Sequence, residues 1–544
     1  EQDWLDLQVW YNLCWFGYFS SQNSFIKRLK RKGKDFSEEE KQLLIKEQFN
    51  VLSQINNQYK KLHELGQIEL SCSPMYHPIL PLLINSESAH ESLPGINLPT
   101  PLFRFSDDAE RQINQGAAYF ESIFGFRPNG MWPSEGSLSD ATLNLLAKSG
   151  IKWAASDEII LFNSKKIENS LEKYFPHDYN TEFGTISLLF RDHHLSDKIG
   201  FTYSNWNESD AANDFINQLK NIRNSLISSY SEDSLETAVV SVILDGENCW
   251  EYYRDNGIPF LRELFGAIQN DNEIQTVTCS EAIQNRNIYF EKSILNLRAG
   301  SWINGNFSIW IGDKEDIIAW NVLSEARNNL ENKKNSISNE IYRQALDSLM
   351  ISEGSDWFWW YGPEHPADNK PIFDEIFRHY IRKSYEILGD ETPEILNYPL
   401  YSNQITQKPT AKTDDNSLIH FYNQISIDGT QINLFTENAS MHQAGEIIEK
   451  IFFSTSDINI YLQILLNSEN LENYEIGVNI GKVNIQISNY NGMYSTSSNY
   501  KIGIDFNKTI ISLKFSKLLI NKPNLFVRTK YSNNIINYIE VYLN

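Results

Sequence analysis

The chain has 544 residues, of which 41% are hydrophobic and 13% aromatic, and a formal net charge of −23. Such length and apolar content suffice for a sizeable core and more than one domain, which excludes global disorder. The negative balance leaves no basic face to meet phosphate, and no apolar run is long enough to span a bilayer, so neither nucleic acid nor a membrane is expected as a partner.

Helices come first. "LQVWYNLCWFGYF" is aromatic-rich, and "SEEEKQLLIKEQFNVLSQINNQYKKLHELG" joins helical apolar spacing to a capping-box start and a terminal Gly. The basic run "KRLKRKGKD" (Lys27 to Asp35) leads straight into "SEEEKQ" and reads as a solvated helix–turn–helix connection. Strands and helices then alternate. "QIELSCS" reads as a strand, "DDAERQINQGAAYFESIFG" as an amphipathic helix closed by Gly125, and "PNGMWP" as a strand. "SLSDATLNLLAKSG" is a helix capped by Ser137 or Ser139, followed by the strands "IKWAASD" and "ISLLFRD". The helix "ANDFINQLKNIRNSL", the buried strand "TAVVSVILDGE" and the helix "IPFLRELFGAIQN" come next, and "IQTVTCSEAI" opens one more unit. Repeated units of this kind predict an α/β fold with a parallel sheet under helices, and their number favours a closed (β/α) barrel over an open doubly wound sheet. No G-x-G-x-x-G or Walker motif accompanies them.

Residues from about 315 to 390 are again helical and carry Trp-rich segments. After about residue 410 alternating strands separated by Asn, Gly and Ser predict an all-β sandwich. The expected domains are therefore a barrel over 1–314, a helical region over 315–400 that completes a cleft, and a β-sandwich over 411–544, with Ile395 to Asn416 as linker. The four cysteines, Cys14, Cys72, Cys249 and Cys279, form no C-x-x-C pair, which fits a reducing, cytoplasmic setting. Neither H-E-x-x-H nor an EF-hand loop is present, so no metal and no cofactor is expected.

In a β/α barrel the functional groups lie at the C-terminal ends of the strands. Read that way, "GQIEL" carries Glu69, "SPMYHP" His77, "GMWPSEG" Trp132 and Glu135, and "WAASDE" Asp157. "LFRDHHLSD" adds Arg191, Asp192 and His193, and "VILDGENCWEYY" adds Asp245, Glu247 and Trp250. Converging carboxylates among aromatics suit glycosidic bond cleavage, in which one group attacks or steadies the anomeric carbon and another protonates the leaving oxygen. A helix-cap role for Glu135 is the alternative, because a carboxylate at a helix N-terminus is favoured by the dipole. Asp245 ends a strongly apolar strand, where a charge is hard to explain by packing alone. "GSWINGNFSIWIGD" sets Trp302 and Trp310 in a Gly-containing loop, and "SEGSDWFWWYGPEH" sets Asp356 and Trp357 in a Trp cluster that reads as the lining of a polar cleft.

Together, "GQIEL", "GMWPSEGSLS", "VILDGENCWEYY" and "SEGSDWFWWYG", in that order, resemble glycoside hydrolase family 57, amylopullulanase- and amylase-like branch, over roughly residues 1 to 400. The resemblance implies an incomplete (β/α)7 barrel with an adjoining helical region, and retaining action on α-glucans such as starch, glycogen or maltooligosaccharides. It implies Glu135 as nucleophile, Asp245 as general acid/base, Glu69, His77, Asp356 and Trp357 as substrate contacts, and Trp302, with Trp132, as aromatic platforms. A 4-α-glucanotransferase, or a catalytically silent carbohydrate-binding fragment, is the alternative. The family's His-Gln-Pro signature is missing: the His-Gln pair here, His442–Gln443, is followed by Ala. With an opening "EQDWLDLQVW" that has no Met, the expectation is that residue 1 lies inside the catalytic domain and that the first barrel strands are absent or supplied by a separate chain.

Overall fold

Three helices, α1 (Gln2–Leu13), α2 (Ser24–Lys32) and α3 (Glu38–Glu64), close on a small core of Val9, Leu13, Phe16, Ile26, Leu29, Phe36 and Leu44 in the computed structural model. The basic run forms α2 and its exit turn at Gly33, where Lys32 pairs with Glu40 of the next helix. The capping box is present: the Ser37 hydroxyl accepts from Glu40 N–H while the Glu40 carboxylate accepts from Ser37 N–H. The chain divides into two units, Glu1–Ser402 and Asn403–Asn544. The structure describes residues 1–164, 169–246, 250–284, 296–362, 365 and 367–401, and in the second unit the backbone of the strands between 417 and 542. Most of the expected linker, together with Glu247 and Cys249, lies outside the described residues.

The first unit is α/β, with a small sheet and mostly helices. Its strands are β1 (Gly130–Met131), β2 (Trp153–Asp157), β3 (His177–Thr181) and β4 (Gly184–Arg191), in the order β1-β2-β4-β3. β1, β2 and β4 are parallel, with Gly130 opposite Trp153 and Asp157 opposite Arg191, and β3 joins β4 as an antiparallel hairpin. The runs "QIELSCS" and "TAVVSVILDGE" flank this sheet without forming regular strands; they touch it in parallel through single pairs, Cys72 with Met131 and Ser241 with Arg191. The reason is visible in the register. β3 covers the outer edge of β4 from Gly184 to Leu188, which leaves only the Arg191 end for the segment that leads to Asp245. A closed ring of strands is thus not seen among the described residues. At the other edge Gly130 is obligatory, since a Cβ there would lie 1.8 Å from the Trp153 indole.

Helix α4 (Ser106–Phe124), ended by Gly125 in the left-handed conformation, precedes β1, and α5 (Asp140–Lys148) follows it, capped by Ser139, whose hydroxyl accepts from Thr142 N–H. Four more helices close the unit: α6 (Lys314–Lys333), α7 (Asn339–Ser352), α8 (Ser355–Tyr361) and α9 (Lys370–Leu388). Trp320 stacks on Phe358 at 4.2 Å, and Phe377 completes that core. A buried fork joins α4 to α6: Arg327 donates to both oxygens of Asp108, at 2.6 and 3.1 Å. Its bidentate geometry satisfies both charges away from water, which an unpaired buried charge could not survive. Among the described residues no helix is long and apolar enough to cross a membrane. The second unit holds a six-stranded and a five-stranded sheet of antiparallel strands.

Candidate active site

The sheet delivers three polar segments at the C-terminal ends of its parallel strands. β1 leads through Trp132 and Pro133 into a one-turn segment, Ser134–Gly136, where Glu135 sits at φ 57, ψ 28. A non-glycine residue in that left-handed region costs on the order of 1 kcal/mol and is held there by its surroundings. The surroundings here are specific. The Trp302 indole N–H donates to Glu135 Oε2 at 2.7 Å, and the Trp302 backbone N–H donates to the Glu135 carbonyl at 3.1 Å. Trp132 meets Trp302 edge-on at 5.2 Å. Gly136 follows at φ 58, and a Cβ on it would lie 3.0 Å from Trp132 and 3.3 Å from Trp302. Tight packing and two hydrogen bonds from Trp302 thus fix Glu135, one at its carboxylate and one at its backbone carbonyl.

The ends of β2 and β4 form a ring of alternating charges. Arg191 donates to Asp157 at 3.1 Å and to Asp197 at 2.7 Å, and His193 bridges the same two carboxylates at 3.1 and 3.0 Å. Asp157 is fully buried and Arg191 nearly so. Burial opposes the His193 imidazolium, but the hydrogen bonds to Asp157 and Asp197 push its pKa up to about 10, so it stays charged at neutral pH. Burial likewise works against the Asp157 carboxylate, and His193 with Arg191 holds it below the ordinary range. Arg191 also reaches both sides of the site. Its guanidinium lies 5.5 Å from the centre of the Trp302 ring, and its Nε donates to the Ile243 carbonyl at 2.8 Å, two residues before the half-buried Asp245. One cation therefore spans from the partner of Glu135 to the segment that carries Asp245.

A second group lies on the loop after Cys72. His77 has φ 56; its Nδ1 is 2.8 Å from the Ser355 hydroxyl, and its carbonyl accepts from Ser355 N–H at 2.9 Å. That contact sets His77 beside the start of α8, where Asp356 is exposed in the first turn. Trp357 is half-buried, its indole N–H donating to the Ile351 carbonyl at 2.7 Å and its ring between Phe373 and Phe377.

The structure therefore brings Glu135, Trp132 and Trp302 together, and separately His77 with the Ser355–Trp357 segment. Trp302, expected as an open platform, is a buried ring whose polar edge serves Glu135. Glu69, expected against substrate, is occupied elsewhere: it accepts from Trp153 Nε1 at 2.9 Å and from the backbone N–H and hydroxyl of Ser280. Trp153 opens β2, so these bonds tie the N-terminal edge of the sheet, opposite the end where Glu135 stands. Burial pushes the thiols of Cys72 and Cys279 up to about 11 and 12, so neither supplies a thiolate nucleophile. Among the described residues no group of three or more His, Cys, Asp or Glu could hold a metal ion. Sequence reasoning placed Arg191 at a strand end but did not assign it a role; the "RDHHLSD" run, with five charged or His residues at a strand end, was the available signal.

The family model "Glycosyl hydrolase family 57" matches residues 3–297. Among solved structures, similarity extends to a family 57 branching enzyme from Thermococcus kodakaraensis, at 14% identity over 70% of this chain and 76% of that one, with a TM-score of 0.50. An α-amylase from Thermotoga maritima matches at 14% identity over 72% and 82%, TM-score 0.48. A 4-α-glucanotransferase from Thermococcus litoralis matches at 13% identity over 91% and 90%, TM-score 0.47. No curated protein matches the chain by sequence.

Proposed function

The chain belongs to glycosyl hydrolase family 57, and on that premise we propose that it acts on α-glucans with retention of configuration, Glu135 as nucleophile and Asp245 as general acid/base. The observation that carries this reading is Glu135, whose left-handed backbone is bonded by the Trp302 backbone N–H and whose carboxylate is bonded by the Trp302 indole N–H. A helix cap needs neither the strain nor the aromatic donor. Strain kept where a side chain must be aimed is in keeping with a reacting group.

The reaction takes two steps. Glu135 attacks the anomeric carbon while the glycosidic bond breaks and Asp245 gives its proton to the leaving oxygen. Asp245, now a carboxylate, takes a proton from water, whose oxygen displaces Glu135 and restores the starting configuration. Such a mechanism asks for carboxyl groups about 5–5.5 Å apart, and Arg191, bonded to the Ile243 carbonyl and lying over the Trp302 ring, is suited to hold that spacing. His77, Asp356 and Trp357 are the sugar contacts in this reading. The α-glucan class rests on the ordered motifs, and the like fold of a branching enzyme agrees with it. Residues 1–314 are the incomplete (β/α)7 barrel, 315–400 the helical side of the cleft and 411–544 a β-sandwich; the division after Ser402 supports the last break. The cytoplasmic setting rests on Cys14, Cys72 and Cys279 being free thiols.

The test is product analysis with maltoheptaose. Shorter oligomers released first as the α-anomer support a retaining hydrolase, and longer ones a glucanotransferase. Glu135→Gln and Asp245→Asn should each lower kcat by roughly 100- to 10,000-fold while leaving the fold intact. Turnover at the wild-type rate in Glu135→Gln would refute the assignment.

A further inference from the structure

Gln112 lies on α4, fully buried and one turn after Asp108. All of its hydrogen-bonding groups are engaged, and they join two segments that share no sequence neighbourhood. Its backbone carbonyl accepts from Met75 N–H at 2.9 Å, and its side-chain oxygen accepts from Tyr76 N–H at 3.0 Å. Its side-chain nitrogen donates to the Met350 carbonyl and to Glu353 Oε2, both at 2.9 Å. One turn later Gly116 opens the space the loop needs: a Cβ there would lie 2.7 Å from the Ser73 carbonyl oxygen. On the far side Gly354 does the same, since a Cβ on it would lie 2.7 Å from the Tyr76 carbonyl oxygen, and Pro78 pairs with Gly354 across the two segments. The loop that ends at His77 and the segment that leads into Asp356 thus meet directly, through His77 with Ser355 and Pro78 with Gly354, and Gln112 bonds both from behind.

We propose that Gln112 is a positioning residue: by clamping the Met75–His77 loop to the Met350–Glu353 segment it sets His77 and Asp356 at the spacing a sugar ring requires. The inference rests on the assignment of His77 and Asp356 to the sugar subsites under the proposed function. The bland alternative is a core glutamine that contributes stability alone, since a saturated buried amide is what any well-packed interior contains. The two differ in what they do to substrate binding. A clamp lost at a subsite raises KM for a glucan long enough to fill it and leaves the reaction centre at Glu135 untouched. A core residue lost lowers the melting temperature and changes neither constant in the folded fraction.

The experiment compares Gln112→Met and Gln112→Glu with the intact chain, well below their melting temperatures, on maltoheptaose and on nitrophenyl α-maltoside. Gln112→Met removes every side-chain bond. Gln112→Glu keeps the acceptor for Tyr76 N–H but sets a second carboxyl against Glu353 and the Met350 carbonyl, so it breaks only the Met350–Glu353 half of the clamp. The expected result is a KM for maltoheptaose raised about tenfold in Gln112→Met and less in Gln112→Glu, with kcat on the short substrate within about twofold of wild type. If the Gln112 variants do not fold, Gly354→Ala, whose Cβ would press on the Tyr76 carbonyl oxygen from the other segment, carries the same comparison. His77→Ala and Asp356→Ala are measured beside them. If those two raise KM and folded Gln112 variants do not, the positioning role is overturned and the subsite assignment stands. If His77→Ala and Asp356→Ala leave KM unchanged, the subsite assignment fails and the positioning role fails with it.

Discussion

Trp302→Phe isolates one hydrogen bond at the centre of the site. The substitution removes the indole N–H that lies 2.7 Å from Glu135 Oε2 and keeps an aromatic ring against Trp132 and beneath Arg191. A hydrogen bond to an ionised group is worth about 1.5–3 kcal/mol, which corresponds to roughly 10- to 150-fold in rate. The bond weakens as charge leaves Glu135 on the way to the covalent intermediate, so part of its value is spent on the ground state. What remains is orientation, and the expected fall in kcat/KM on maltoheptaose is at the lower end, about tenfold. The assay is initial rate for both proteins, with melting curves to separate the lost indole volume, which should cost about 1–2 kcal/mol. Wild-type kcat/KM would show that Trp302 only packs, and the account of how Glu135 is held would be abandoned.

Two further outcomes can be measured directly. Gly136→Ala puts a Cβ at a positive φ and against both Trp132 and Trp302, so urea melts should show a loss of about 1–3 kcal/mol together with reduced activity; an unchanged midpoint would mean that the two rings yield. His193 is held above its ordinary value by Asp157 and Asp197, so its contribution to stability is complete below about pH 6.5 and is lost as pH rises through about 10. His193→Gln should flatten that alkaline loss of melting temperature, and an equally steep loss in the variant would assign it to other groups.

Much of the local structure was legible in the chain. The capping box at Ser37 and the Gly125 stop follow from backbone donors and carbonyls that only certain side chains can satisfy and stand where the pattern put them, and of the two caps the pattern allowed, Ser137 or Ser139, the helix uses Ser139. Glu135 and Asp245 stood out as candidates because a carboxylate that ends an apolar run is chemically conspicuous. The flanking strands were overread: apolar runs such as "TAVVSVIL" carry strand propensity, but whether they pair depends on which edge is open, and the β3–β4 hairpin had already taken most of it.

By itself, then, the sequence determined the α/β alternation, the helix ends and the ordered motifs that carry the family, because periodicity and capping act over a few residues. The tertiary structure alone decided that Trp302 holds Glu135 across 167 positions, that Arg191 ties the Trp302 ring to the Ile243 carbonyl, that Glu69 serves the far edge of the sheet, and that Gln112 bonds both Tyr76 N–H and Glu353. Such contacts join side chains that no local rule relates. They exist because burying the shared core brings those segments within hydrogen-bonding reach and leaves each polar group needing a partner away from water.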